Sequence, residues 1–343
     1  MELVRNWRAQ ILMADIALAD HMSSVTERAH AVRQGGARDT RFRLLTLAAA
    51  LIVLAIFAGV MASLIIGAWP AMRQFGWGFI TSEAWNPVTE KFGALASIYG
   101  TVVTSVLAMF VAVPVGIGIA IFLTEICPRP LRRPIGIAIE LLAGIPSIIY
   151  GIWGLFIFAP WFQEHVQTAM VDALADIPYL RDVFAGPPYG IGIFTAALIL
   201  SIMVLPFISA VTRDVFETVP SVLKEAAYGL GCTTWEVMWR VVLPFARSGV
   251  VGGAMLALGR ALGETMAVTF VIGNAHHIKG SIFAPGTTIS ATIANEFTEA
   301  VGDLYLSSLI EMGLILFFIT FIVLASAQLM LRALEARAGS ATR

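Results

Sequence analysis

The sequence predicts an all-α membrane protein with six spanning helices. Three observations carry this: a very apolar composition, six apolar runs of spanning length, and basic residues sorted by segment. Hydrophobic residues make up 58% of the chain and charged residues 13%, with a mean hydropathy of +0.83. Soluble domains hold roughly 45–50% apolar and about 25% charged residues. The chain therefore reads as polytopic.

Near-continuous apolar runs of about 20 residues, the length that crosses a bilayer core, lie at 44–68, 97–123, 135–160, 190–212, 248–272 and 304–331. Six spans put both termini on one side. Of the 22 Lys and Arg residues, 17 fall in 1–43, 124–134, 213–247 and after 331; 4 fall in the intervening segments, and Arg260 is the last. The positive-inside rule then expects both termini in the cytoplasm. The organisation expected is an N-terminal tail at 1–43, a membrane domain at 44–331 with a long inner loop at 213–247, and a C-terminal tail at 332–343.

Residues 1–43 are too long and too rich in both charges for a secretory leader, so the first span is expected to be retained. Leu3 to Ala19 reads either as an amphipathic helix or as solvated tail, and Gln34, Gly35 and Gly36 read as a joint. Trp69, Trp77, Trp85 and Trp161 flank outer boundaries, as interface anchors or loop packing do. Cys127 and Cys232 fall at the cytoplasmic face and are expected to be reduced thiols. His276 and His277 lack metal-ligand spacing and read as outer-loop surface.

In the third span Pro146 has no donor and is expected to kink or open the helix. With Ser147 and Tyr150 it is a candidate to line a path, with plain packing as the alternative. Glu140 and Glu311, near span ends, read as interfacial carboxylates or contacts to a partner subunit. The outer segments 69–96, 161–189 and 273–303 are candidate docking surface.

The inner loop is long enough to need a task. Its first half, from Pro220, holds helix formers through Ala227 and meets Gly229 and Gly231, so it predicts a short helix with a glycine stop. Its second half opens with Thr233 and Glu236 in capping-box spacing and predicts a second short helix closed by Pro244. Together they form an elbow offering Val222, Leu223, Trp235, Met238 and Trp239 for docking.

Arg260 and Glu264 lie inside the fifth span, where each charge costs roughly 2.5–3.5 kcal/mol on insertion scales. On an ideal helix they sit about 40° apart. Ala246, Gly249, Gly253, Ala257 and Ala267 fall on the same face, and Gly259 with Gly263 form a second small-residue strip. Buried ionisable residues mark pathways or relays, and arginine offers a planar donor fork to an oxyanion. The alternative is a structural salt bridge.

Glu225-Ala226-Ala227, Gly231, Val241, Leu243 and Pro244 stand at the spacing EAA-x3-G-x9-I-x-LP, with Val241 for Ile. This loop resembles the signature of bacterial ABC importer permeases. GRALGETMAVTFVIGN (Gly259 to Asn274), GIPSIIYGIWG in the third span, and FGWGFITSEAWNPV with FGAL in the first outer loop are similar to PstC-type phosphate permeases. The resemblance implies the type I ABC importer permease fold in the bacterial cytoplasmic (inner) membrane. It implies ATPase coupling through Glu225, Ala226, Ala227, Gly231, Leu243 and Pro244, and a phosphate path using Arg260 and Glu264. It also implies three partners: a second homologous permease (PstA-like), an ATPase dimer (PstB-like) and an extracytoplasmic phosphate-binding protein (PstS-like).

The chain's three lysines, Lys91, Lys224 and Lys279, sit in no phosphate-binding loop. ATP and Mg are therefore expected on a separate chain, with no cofactor and no nucleic acid on this one. The same architecture carrying sulfate or molybdate, or a nucleotide-independent secondary transporter, are the rival readings. An intramembrane enzyme finds no catalytic constellation.

Overall fold

The computed structural model describes residues 40–340 apart from Ala175 and Tyr179, with side chains to Arg332. The tail features expected at 3–19 and 34–36 lie outside the described residues. Ten helices organise what is described. They are α1 (Thr40–Phe75), α2 (Leu95–Ile126), α3 (Arg129–Leu142), α4 (Ser147–Leu174), α5 (Ile193–Glu217), α6 (Ser221–Gly229), α7 (Thr234–Leu262), α8 (Met266–Thr269), α9 (Ile289–Glu296) and α10 (Asp303–Ser340). Single turns at Gly78–Thr81 and Leu180–Val183 join them. No strand occurs among the described residues, only two isolated bridges.

Five helices, α1, α2, α5, α7 and α10, are long and apolar enough to cross a membrane; α3 and α4, bent by 85° at their join, pass the same test only as a pair, which gives up to six spans. The chain up to Ser63 forms one unit and the chain from Leu64 a second. In the first unit every described side chain from Thr40 to Val60 is exposed, which suits a helix solvated by lipid or by another subunit.

The second unit is built on α2 against α5. From Ser97 to Ala120 along α2 the buried positions are small: Ser97, Gly100, Thr101, Thr104, Ser105, Ala108, Ala112, Gly116 and Ala120. Spacings of three and four put them on one face, and small residues let membrane helices approach closely. A methyl group added at Gly116 would lie 2.7 Å from Ile208 of α5. The same logic seats α7, whose Gly249 and Gly253 abut Val215 and Val211 of α5, and whose Gly259 faces Leu324 of α10.

One expected span opens where expected and another is corrected. The third, expected at 135–160 with a kink or opening at Pro146, breaks there: α3 stops at Leu142 and the chain turns through Ala143 to Pro146 before α4. The cause is local: a residue before proline disfavours helical geometry, and Gly144 loosens the turn. The fifth was expected at 248–272, preceded by a short helix that Pro244 closes. Instead α7 runs unbroken from Thr234 through Pro244 to Leu262 and breaks at Gly263.

Pro244 is accommodated because the turn before it, Met238–Val242, is wide, with i→i+5 bonding. A proline ring clashes with the carbonyl four residues back, and that carbonyl, on Arg240, belongs to the widened turn. The pattern repeats: wide turns at Phe122–Ile126 and Gly154–Phe158 end two residues before Pro128 and Pro160.

The segment 273–303, expected as an outer loop, folds inward. Ile289, Ser290, Ala291 and Thr292 of α9 are buried. The Ile289 N–H donates to Thr101 Oγ1 at 2.9 Å, and Ser97 and Thr292 hydroxyls pair at 3.2 Å.

Candidate translocation site

Arg260 occupies the last turn of α7, where the carbonyl end of the helix favours a cation. It is exposed in the single chain, and among the described residues no ion pair or hydrogen bond holds it. Ala257 and Ala261 on either side are buried. Gly249 and Gly253 of the small-residue face abut α5, whereas Arg260, two turns on and on the same face of the wheel, is exposed.

Glu264 lies beyond the helix end, so the ideal-helix angle of about 40° to Arg260 does not apply. Its N–H donates to Ala261 O at 3.3 Å, and its Oε1 accepts from Ala267 N at 3.3 Å. The half-buried carboxylate thus caps the amide end of α8. Thr265 is held by its own turn, Oγ1 to Gly263 O at 3.4 Å.

Packing sets the depth of this break. α7 is antiparallel to α5, with residue 249 against 215 and 253 against 211. Extending that register at 1.5 Å per residue brings Arg260 about level with Val204, near the middle of α5. Gly154 of α4 lies against Ile199, so the same reckoning puts Ser147 about level with Pro206. The break at 263–265 therefore lies near mid-depth, and the turn at 143–146 lies further toward the Glu217 end of α5, in keeping with Glu140 meeting Arg213.

The breaks are in contact through their following helices. A methyl group at Gly151 of α4 would stand 2.7 Å from the Phe270 ring and 2.9 Å from Met266 O. Non-helical backbone at membrane depth is tolerated where protein buries it or where it lines a water-filled cavity. Discontinuous helices meeting near the midplane are the arrangement that transporters use around a solute.

The other candidates divide. Pro146 is exposed, Ser147 half-buried and Tyr150 buried. The Tyr150 hydroxyl donates to Leu142 O at 2.8 Å, bracing the bend, which favours packing for that residue. Glu140, expected at an interface, pairs within the chain with Arg213 at 2.8 Å.

At the elbow, Gly231 adopts φ +84° with open space around it. Gly231 N donates to Tyr228 O at 2.9 Å and Cys232 N to Ala227 O at 3.1 Å, a glycine cap on α6. The Thr233–Glu236 capping box forms as expected. Ala227 is buried against Phe216, Val219, Val237 and Met238, whereas Glu225, Ala226 and Pro244 are exposed. Val222, Leu223, Leu230, Trp235 and Trp239 present an apolar face; Met238, expected on that face, is buried.

Residues 112–340 match the family of binding-protein-dependent transport system inner membrane components. A phosphate transport system permease protein PstC of Mesorhizobium japonicum is 67% identical over 90% of this chain and 94% of its own. The chain belongs to the PstC permease family. A Haemophilus influenzae PstC is 52% identical over 88% of this chain and 95% of its own. A probable PstC of Methanocaldococcus jannaschii is 36% identical over 82% and 90%. The fold is that of ABC importer permeases: a subunit of a bacterial alginate importer superposes with TM-score 0.58 at 18% identity, covering 86% of this chain and 98% of that one. This PstC-family chain is a multi-pass inner-membrane component.

Two contacts escaped the sequence. Lys224 of α6 binds Glu125 of α2 at 2.7 Å with both side chains largely buried. Glu296 gathers Trp85, His276 and Tyr305, placing His276 in a cluster rather than on free surface. Pairs about 100 residues apart leave no periodic trace.

Proposed function

We propose that this chain forms half of the path through an ATP-driven importer of inorganic phosphate, with Arg260 and Glu264 facing the solute. The observation that carries the reading is Arg260, a cation with no ion pair among the described residues, at a helix break level with the middle of α5. Identity to PstC permeases over nearly the full length supports phosphate as cargo. The exposed apolar elbow from α6 to the start of α7 supports docking on a separate ATPase, and both termini are assigned to the cytoplasm.

The cycle follows from these parts. A binding protein outside delivers the anion; the partner permease completes the cavity; closure of the ATPase dimer moves the elbow and switches the access of the site. Arg260 attracts the anion through charge-assisted hydrogen bonds. Glu264, already accepting an amide bond, is placed to accept a hydrogen bond from the hydroxyl of a monoprotonated phosphate, and it repels a fully deprotonated oxyanion. That separates phosphate from sulfate.

The test is ATP-dependent uptake of labelled phosphate by the reconstituted complex, with sulfate as competitor. Arg260→Ala is expected to abolish uptake while the complex still assembles, and Arg260→Lys to restore part of it, since lysine supplies charge without the fork. Loss of assembly would return Arg260 to a structural role. Uptake without nucleotide would overturn the coupling, and equal competition by sulfate would overturn the cargo.

A further inference from the structure

We infer that α3 lies in the plane of the inner membrane surface and binds the headgroups of anionic phospholipids through Arg129 and Arg133. The inference rests on the membrane location of the chain and not on its cargo. Three independent features carry it.

The first is direction. α3 leaves the end of α2 and meets α4 at 85°, so when α4 stands across the membrane α3 runs along it. Gly136 and Glu140, one turn apart in α3, both face Arg213: a methyl group at Gly136 would lie 3.1 Å from the guanidinium, and Glu140 Oε1 is 2.8 Å from it. A helix running alongside α5 would shift by about 5.4 Å per turn. One residue meeting two successive turns marks a crossing, and Arg213 is four residues from the end of α5 at Glu217.

The second is the pattern of faces. At about 100° per residue, Arg129, Arg133 and Glu140 fall within a sector of roughly 40°. Leu131, Ala138 and Leu141 fall roughly 100–180° away from its centre, Ile137 stands at its edge, and all four are exposed. Ile135, Gly136 and Ile139, between the two, are buried or half-buried. An exposed apolar face beside an exposed cationic one is what an interfacial helix presents to acyl chains and headgroups.

The third is charge. The one acid in the polar sector, Glu140, is engaged by Arg213, which also holds Asp214 at 3.1 Å. Arg129 and Arg133 are exposed and have no ion pair among the described residues. Arg132 beside them has a buried Nε–H with no acceptor. The sector is therefore left cationic, and clustered basic residues at a cytoplasmic interface attract anionic lipid.

Native mass spectrometry of the purified full chain, offered phosphatidylglycerol and phosphatidylcholine in equal amounts, tests this. The chain is expected to retain phosphatidylglycerol with roughly tenfold preference, weakening as salt rises. Arg129→Gln with Arg133→Gln should bring the preference close to parity, while the double Lys variant keeps it. Arg181→Gln, in the segment between α4 and α5, should leave it unchanged. An unaltered preference in the double Gln variant would overturn the inference. Displacement of the lipid by excess inorganic phosphate would make this a phosphate site and overturn it also. A disulfide from Leu141→Cys to another subunit of the assembled importer would assign the face to protein, with the same result.

Discussion

Glu296 shows how much one residue organises between α8 and α10. Trp85 Nε1, His276 Nε2 and the Tyr305 hydroxyl all bond its carboxylate, the last two at 3.1 and 2.6 Å, and Trp85 stacks on His276. Burial pushes the carboxyl pKa up, but the bonds from His276, Tyr305 and Trp85 together outweigh it and hold the value below 4.5. A lowered folded-state pKa contributes stability that is present above the unfolded value and is lost as pH falls through the folded one. Thermal melting of the wild-type chain should therefore lose ground as pH drops below about 4.5. Glu296→Gln should melt lower at pH 7 and show a flatter acid limb; parallel curves would remove the carboxylate from that role. Residue identity was legible for Arg260 and Glu264 because a charge in an apolar run is conspicuous. Their surroundings were not, because the wheel assumed a helix that ends at Gly263.

At the scale of elements, length and apolarity were enough to place the helices, since backbone groups in lipid must be satisfied within a helix. The breaks were harder. Pro146 announced one; Gly263, an ordinary small residue in an apolar run, did not announce the other; and Pro244 announced a stop that a widened turn cancels. The closeness of α4 to α8 gives a test at this scale. Gly151 has a backbone carbonyl and an aromatic ring within 2.9 Å of where a methyl would be, so Gly151→Ala should destabilise the chain by about 1–3 kcal/mol. Gly151→Leu should separate the two broken helices. Phosphate uptake should fall with both, more steeply for Leu, whereas full activity in the Leu variant would detach the α4–α8 contact from transport.

Across the whole molecule, the elbow is tied to the bundle by more than its two chain connections. Lys224 and Glu125 join α6 to α2 at 2.7 Å, next to the buried cluster of Ala120, Phe216, Ala227 and Val237. Removing one partner of a largely buried pair strands the other charge. Lys224→Glu is expected to separate ATP hydrolysis from uptake in the assembled importer, and Glu125→Lys in the same chain to rejoin them. Failure of the exchange to restore coupling, with assembly intact, would confine the pair to local packing.

Because Pro244 does not interrupt α7, the 29 residues from Thr234 to Leu262 form one rod, about 43 Å long at 1.5 Å per residue. Gly249 and Gly253, seated on Val215 and Val211, are its closest approach to α5 and the natural fulcrum for a tilt. From the midpoint of that contact one arm reaches about 25 Å to Thr234 and the other about 13 Å to Arg260. A sideways push of about 4 Å at the Thr234 end would then swing the guanidinium by roughly 2 Å the other way, a shift large enough to make or break a hydrogen bond.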